Sequence, residues 1–120
     1  MTSHERLKGI VKFLPDFQND KGLDRLGEFV QAAYQYEWVS SDVNWVEWKQ
    51  TPEAQRLRDE PDVLSQASEH DLVCLLTTCI RQERFCEGAL ESVYESGLLT
   101  GILQRAESLL NEISGNEHLN

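Results

Sequence analysis

The chain has 120 residues, 21 of them acidic against 11 basic, for a formal net charge of −10. That length suits one domain with its own core. The charge opposes direct binding to nucleic acid or to an anionic membrane unless the bases are collected on one face, and the sequence order shows no such collection.

Ser3 is the expected cap of a first helix in which Leu7, Ile10, Val11 and Leu14 fall at i, i+3, i+4 and i+7, with Pro15 expected to end it. Residues 16–22, DFQNDKG, read as a polar connector that Phe17 pins onto the core. Helical periodicity returns with Leu26, Phe29, Val30, Ala33 and Tyr34, running towards Trp38, until Ser40, Ser41 and Asp42 stop it. A short helical piece then carries Val43, Trp45, Val46 and Trp48. Thr51 and Pro52 read as the cap and first residue of a restart whose buried side is Ala54 and Leu57, and Pro61 breaks the chain again.

Ser68 and Asp71 have the spacing of a capping box. Behind them Leu72, Val73, Leu75, Leu76, Cys79 and Ile80 form an apolar arc too wide for a helix lying on a surface, so this helix, about Ser68 to Glu83, is expected at the centre. Glu83 projects into that arc, which places a bend or an end between Gln82 and Phe85. A further helix from about Cys86 presents Leu90, Val93 and Tyr94 and stops at Gly97. The last helix steps through Leu99, Ile102, Ala106, Leu109 and Ile113. Gly115 is expected to close it, leaving 116–120 as a frayed tail. No stretch alternates with period two, so the expected fold class is all-α, a compact bundle of five to six helices forming a single domain over residues 1–115.

The charged block after the central helix carries the candidate site. LLTTCIRQERFCEGALESVYESGLL resembles the signature of an uncharacterised family of small bacterial and phage all-α proteins, in which a Leu-Leu-Thr helix leads through Arg-x-Asp/Glu-Arg-Phe-Cys-Glu-Gly into a second helix. Upstream, Asn44, Trp45 and Trp48 are similar to that family's Asp-Trp-x-x-Trp motif; the resemblance spans roughly Val43 to Leu110. Asn44 stands where an acid is usual and Glu83 where Asp is common, so any chemistry done by the acid at position 44 in relatives would be missing here. The resemblance implies a fold and no activity.

Two readings of the block follow from its residues. Arg81, Arg84 and Glu87 recur every three residues, so the arginines can pair with Glu87 or with Glu47 and stitch helices together at a helix end. The alternative is a shallow pocket in which Arg81 and Arg84 bind a carboxylate or phosphate against Trp45 and Trp48, with Glu47 at hand. Cys86, near Arg84, is a candidate reactive thiol, although no histidine accompanies it and a small buried cysteine is the plainer reading.

Phosphate-cradling glycine loops, HExxH and the serine-nucleophile elbow are absent, and no cofactor is expected. Cys74, Cys79 and Cys86 lack CxxC spacing and His4, His70 and His118 lie far apart, so neither a disulfide framework nor a metal site is expected. Short apolar runs and a charged N-terminus argue against a membrane span or secretory signal, and a reducing cytoplasm is the expected compartment. The leading functional expectation is an acidic, non-catalytic module that binds another protein, a basic one being the natural complement. Behind it stand a small-anion site on Arg81, Arg84, Glu47 and Trp48, possible enzyme chemistry included, and an inhibitor that mimics nucleic acid before a basic protein. The apolar stripe of the last helix leaves a homodimer open.

Overall fold

A computed structural model of the chain describes residues 1–119, with side chains to residue 115. Thr2 opens the first helix, α1 (Ser3–Val11), by accepting the Glu5 N–H on its hydroxyl at 3.2 Å, one residue earlier than the Ser3 cap suggested by sequence. Pro15 does not end α1. It stands in the first turn of a short second helix, α2 (Leu14–Gln18), where its missing N–H would have had no partner anyway. Phe17 does pin this stretch, its ring lying 5.3 Å from both Phe29 and Tyr94.

A 3₁₀ turn, Leu23–Arg25, feeds α3 (Leu26–Gln35), which buries Phe29, Ala32 and Ala33. This helix stops short of Trp38 because Glu37 takes the left-handed conformation (φ 62°). Glu37 N–H then bonds the Tyr34 carbonyl at 3.2 Å and Trp38 N–H the Ala33 carbonyl at 2.8 Å, which is a Schellman ending with glutamate in the place glycine usually takes. Three short helices follow: α4 (Trp45–Trp48), α5 (Pro52–Asp59) and α6 (Pro61–Leu64). Thr51 caps α5 by accepting the Ala54 N–H at 3.1 Å, with Pro52 at the first helical position as expected.

The central helix is α7 (Glu69–Gln82), begun by the Ser68–Asp71 capping box with both bonds at 3.0 Å. Every residue from Leu72 to Ile80 is buried, so α7 is enclosed on all sides. Its two buried threonines are satisfied: Thr78 donates to the Cys74 carbonyl at 2.8 Å, and Thr77 accepts the Ser40 N–H at 3.0 Å. After the corner come α8 (Ala89–Glu95), ended by Gly97 at φ 88°, and α9 (Leu98–Leu119). Gly115 lies inside α9 rather than closing it; the side chains of 116–120, and Asn120 altogether, fall outside the described residues.

Helix α9 is the backbone of the packing. It meets α1 along most of that helix, and also α2, α6, α7 and α8. Leu99, Ile102, Leu103 and Ala106 are fully buried within one continuous core, while Leu109, Leu110 and Ile113 are half-buried at its edge. The described residues form no strand, and six of their α-helices have seven residues or more, in line with the five to six expected. The other three are corners of four or five residues, too short to show a helical period.

One side chain locks the N-terminal part onto α7. Arg6 pairs with Glu69 at 2.8 Å, donates to the Glu37 carbonyl at 2.8 Å and to the Tyr36 carbonyl at 3.3 Å. Its guanidinium covers the ring of fully buried Trp38 at 4.7 Å, and the Trp38 indole N–H returns a bond to the Arg6 carbonyl at 2.8 Å. The carbonyls left over at the end of α3 are thus met by a cation.

Two glycines make opposite forecasts. A Cβ on Gly9 would overlap the ring of Tyr36, whereas Gly27 faces open space. Gly9→Ala is expected to lose about 1–3 kcal/mol through overpacking. Gly27→Ala is expected to gain up to about 1 kcal/mol from the lower chain entropy of alanine. Urea unfolding of the two variants checks both signs.

Candidate functional site

Where α7 leaves the core its character changes within one residue: Ile80 is buried, Arg81 and Gln82 are half-buried, and Arg84, Phe85, Cys86 and Glu87 are all exposed. Glu83 makes this corner. Placed at the end of α7, its carboxylate accepts the Gly88 N–H at 2.8 Å on one oxygen and the Leu90 N–H at 3.1 Å on the other. The residue that follows α7 therefore caps the next helix through its carboxylate, with Gly88 at φ 89° supplying the reversal. Helix α8 consequently begins at Ala89 and not near Cys86.

The turn so fixed holds Phe85 outward, 79% exposed. Its ring leans on Trp45, centroids 6.0 Å apart and planes at 35°. Trp45 is presented by α4, whose first turn is capped by Asn44 Oδ1 accepting the Glu47 N–H at 3.3 Å. An aspartate could cap in the same way. Within α4, Trp48 packs against the core while Val46 is 50% exposed. The Lys49 ammonium lies 5.9 Å from the Trp45 ring. Arg81, Trp45, Asn44, Val43, Ser40 and Ser41 line a shallow pocket of about 250 Å³.

The structure thus brings Arg81 and Trp45 together and sets the other candidates apart. Among the described residues, Arg81, Arg84, Glu47 and Glu87 have no opposite charge within 4.0 Å, so the stitching expected of them is not made. Glu87 is turned to the far side of the corner, into a cleft with Leu26, Val30 and Glu91. Glu83 performs the joining instead, through backbone N–H groups rather than an arginine. Its projection into the apolar arc was the one sequence signal of that role.

Cys86 is exposed rather than buried. The two buried thiols are held neutral. Burial pushes Cys79 up to about 12 despite the opposing pull of Arg58. Burial, and then the carboxylates of Asp71 and Glu53, raises Cys74. His70 Nε2 stands 3.6 Å from Cys74 Sγ, yet those surroundings favour the thiol over the nucleophilic thiolate. A larger cleft of about 620 Å³ gathers Ser40, Ser41, Asp42 and His70, but the Ser40 hydroxyl accepts the Asp42 N–H at 3.1 Å, and among the described residues no serine hydroxyl bonds His70. Nor do the described residues place three or more His, Cys, Asp or Glu side chains where they could hold a metal ion. No helix among them is long and apolar enough to cross a membrane.

Residues 22–112 match the model of a family of unknown function (DUF6508). The chain belongs to that family. No curated protein and no solved structure matches it. The DUF6508 span starts at Gly22, whose N–H meets the Tyr94 hydroxyl at 3.2 Å, and takes in the whole corner while leaving α1 and α2 outside.

Two outcomes are expected. Glu83→Ala strips two N–H groups of a charged acceptor and is expected to lose about 1.5–3 kcal/mol, whereas Arg84→Ala, on an exposed and unpaired side chain, is expected to change stability by about 0.5 kcal/mol or less. Urea unfolding separates them. Stability is also expected to fall as pH rises above 9.0, the ordinary thiol value, towards about 12, because the unfolded chain then releases a Cys79 proton that the folded chain keeps. Cys79→Ala flattens this decline in denaturation curves taken across the alkaline range.

Proposed function

We propose that the protein is a non-catalytic protein-interaction module that docks through the corner between α4 and the turn at residues 83–88. The observation that carries this reading is Phe85, 79% exposed on a backbone pinned at both ends by the Glu83 carboxylate. Leaving a phenylalanine in water forgoes about 1.5–3 kcal/mol of burial. An ordered turn that keeps it there has a use for it outside the fold. Trp45 extends the apolar surface, with Arg81 and Lys49 beside it. Aromatic and arginine side chains are the types most enriched at the centres of protein interfaces.

A second copy of the chain would bring a second net charge of −10 to the contact, which favours a different protein as partner. Free Cys74, Cys79 and Cys86 support work in a reducing compartment such as the cytoplasm, and the likeness of the arginine–cysteine block to small bacterial and phage proteins supports such a source.

Affinity purification from the native cell tests the role with four baits: wild type, Phe85→Ser, Trp45→Ala and the remote Glu107→Gln. The expected result is a protein retained by wild type and Glu107→Gln but reduced roughly tenfold or more by the two aromatic variants, as for an interface hot spot. Phe85→Ser should keep its melting point within about 2–3 °C of wild type, since its side chain is exposed. A bound set that is unchanged by Phe85→Ser contradicts docking at the corner.

A further inference from the structure

Thr51 and Pro52 start α5 and Pro61 starts α6, so the chain turns sharply at Glu60 before it reaches α7. Helices α5 and α6 and the opening turn of α7 together surround a cleft of about 600 Å³. Its apolar lining is Leu57 and Ala67, both buried, and half-buried Val63. That volume lies within the roughly 300–1,000 Å³ usual for small-molecule sites, which combine an apolar lining with a few polar groups.

The polar groups here are mostly acids. Glu53, Asp62 and Asp71 line the cleft, each from the first turn of a different helix, where negative charge suits the positive helix end. Among the described residues none of the three has a cation within 4.0 Å. Asp71 gives one oxygen to the Ser68 N–H. The single base in the lining, Arg56, faces Glu60 at 3.6 Å. The same balance holds along the chain: residues 52–71 carry six carboxylates and two arginines, and the second arginine, Arg58, donates to the Lys49 carbonyl.

Two of the acids act on one point in space. After burial itself, Asp71 from α7 and Glu53 from α5 are what raise the Cys74 thiol. Yet the described residues place no three His, Cys, Asp or Glu side chains where they could hold a metal ion. The carboxylates thus border an apolar cleft rather than meet at a point, an arrangement suited to a cation with a body of its own.

We propose that this cleft binds a small organic cation, an ammonium or guanidinium group carried on an apolar body. The body lies on Leu57, Val63 and Ala67, and the cation sits among Glu53, Asp62 and Asp71, with the Gln66 side-chain carbonyl as a further acceptor. Apolar burial supplies affinity, while the carboxylates discriminate against neutral and anionic molecules of the same shape. The site shares no lining residue with the corner at Phe85 and does not depend on the docking role.

A matched set of phenylbutylamine, phenylbutanol and phenylbutyrate, titrated at neutral pH and physiological salt and followed in ¹⁵N–¹H correlation spectra, tests this directly. The expected result is saturable shifts at the amides of residues 57–71 with the amine, binding roughly tenfold weaker for the alcohol, and none for the carboxylate. The double variant Glu53→Gln, Asp62→Asn should weaken the amine roughly tenfold or more, and Arg56→Gln should strengthen it. The remote Glu107→Gln should leave it unchanged. All these side chains are exposed, and circular dichroism confirms that the variants are folded. Equal binding of alcohol and amine overturns cation recognition. Shifts from the amine that spread over the acidic surface without saturating overturn the site itself. Shifts at these amides with a peptide bearing lysine and phenylalanine, but none with the amine, overturn the small ligand in favour of a basic protein segment.

Discussion

Nine consecutive buried residues, Leu72 to Ile80, set the terms for the rest of the molecule. At about 100° per residue they point in every direction around α7, so the helix is stable only if other elements surround it. Helices α4, α8 and α9 pack against it, and the chain entering from α3 closes the remaining side through Ser40 and Trp38 on Thr77. The Arg6 contacts to Glu69, Tyr36 and Glu37 hold that entering segment in place, joining three parts of the chain through one guanidinium.

An enclosed helix must also come out. At Arg81 the chain leaves an environment with no water for one open to it, and the last carbonyls of α7 and the first N–H groups of α8 both require partners. Glu83 answers the second need with two charge-assisted bonds, and the turn is thereby shaped with four exposed side chains on it. Phe85 is held in place against Trp45, and under the docking role proposed above that order would lower the entropy cost of binding. The start of α8 and the outward placing of Phe85 are thus both set by one carboxylate.

What was legible in the sequence was local. The Ser68–Asp71 box, the Thr51–Pro52 start and the Gly97 stop each depend on residues within a few positions of one another, and each stands where the sequence placed it. The end of α3 was hidden because glutamate, not glycine, takes the left-handed position at Glu37. Proline misled at position 15 because it suits a helix start as well as a helix end. At the site, Glu83 showed itself only as a charge in an apolar arc, and the neighbours it bonds were unknowable without the turn. The arginine pairs expected with Glu47 and Glu87 failed because spacing along a helix says nothing of where the next helix turns. Long-range events left no trace in the sequence, from the Arg6–Glu69 pair across 63 positions to the meeting of Arg81 and Trp45 in one recess.

The claim on which the functional account turns is that the corner is preorganised, with Phe85 displayed by a rigid turn. Backbone ¹⁵N relaxation over residues 81–90 of the isolated protein tests this most directly. Order parameters near about 0.85 through Arg84, Phe85 and Cys86, equal to those of α7, are the expected result, since the Glu83 bonds close the turn. Values below about 0.6 at those residues would show a flexible loop on which Phe85 is merely loose, and would contradict the account.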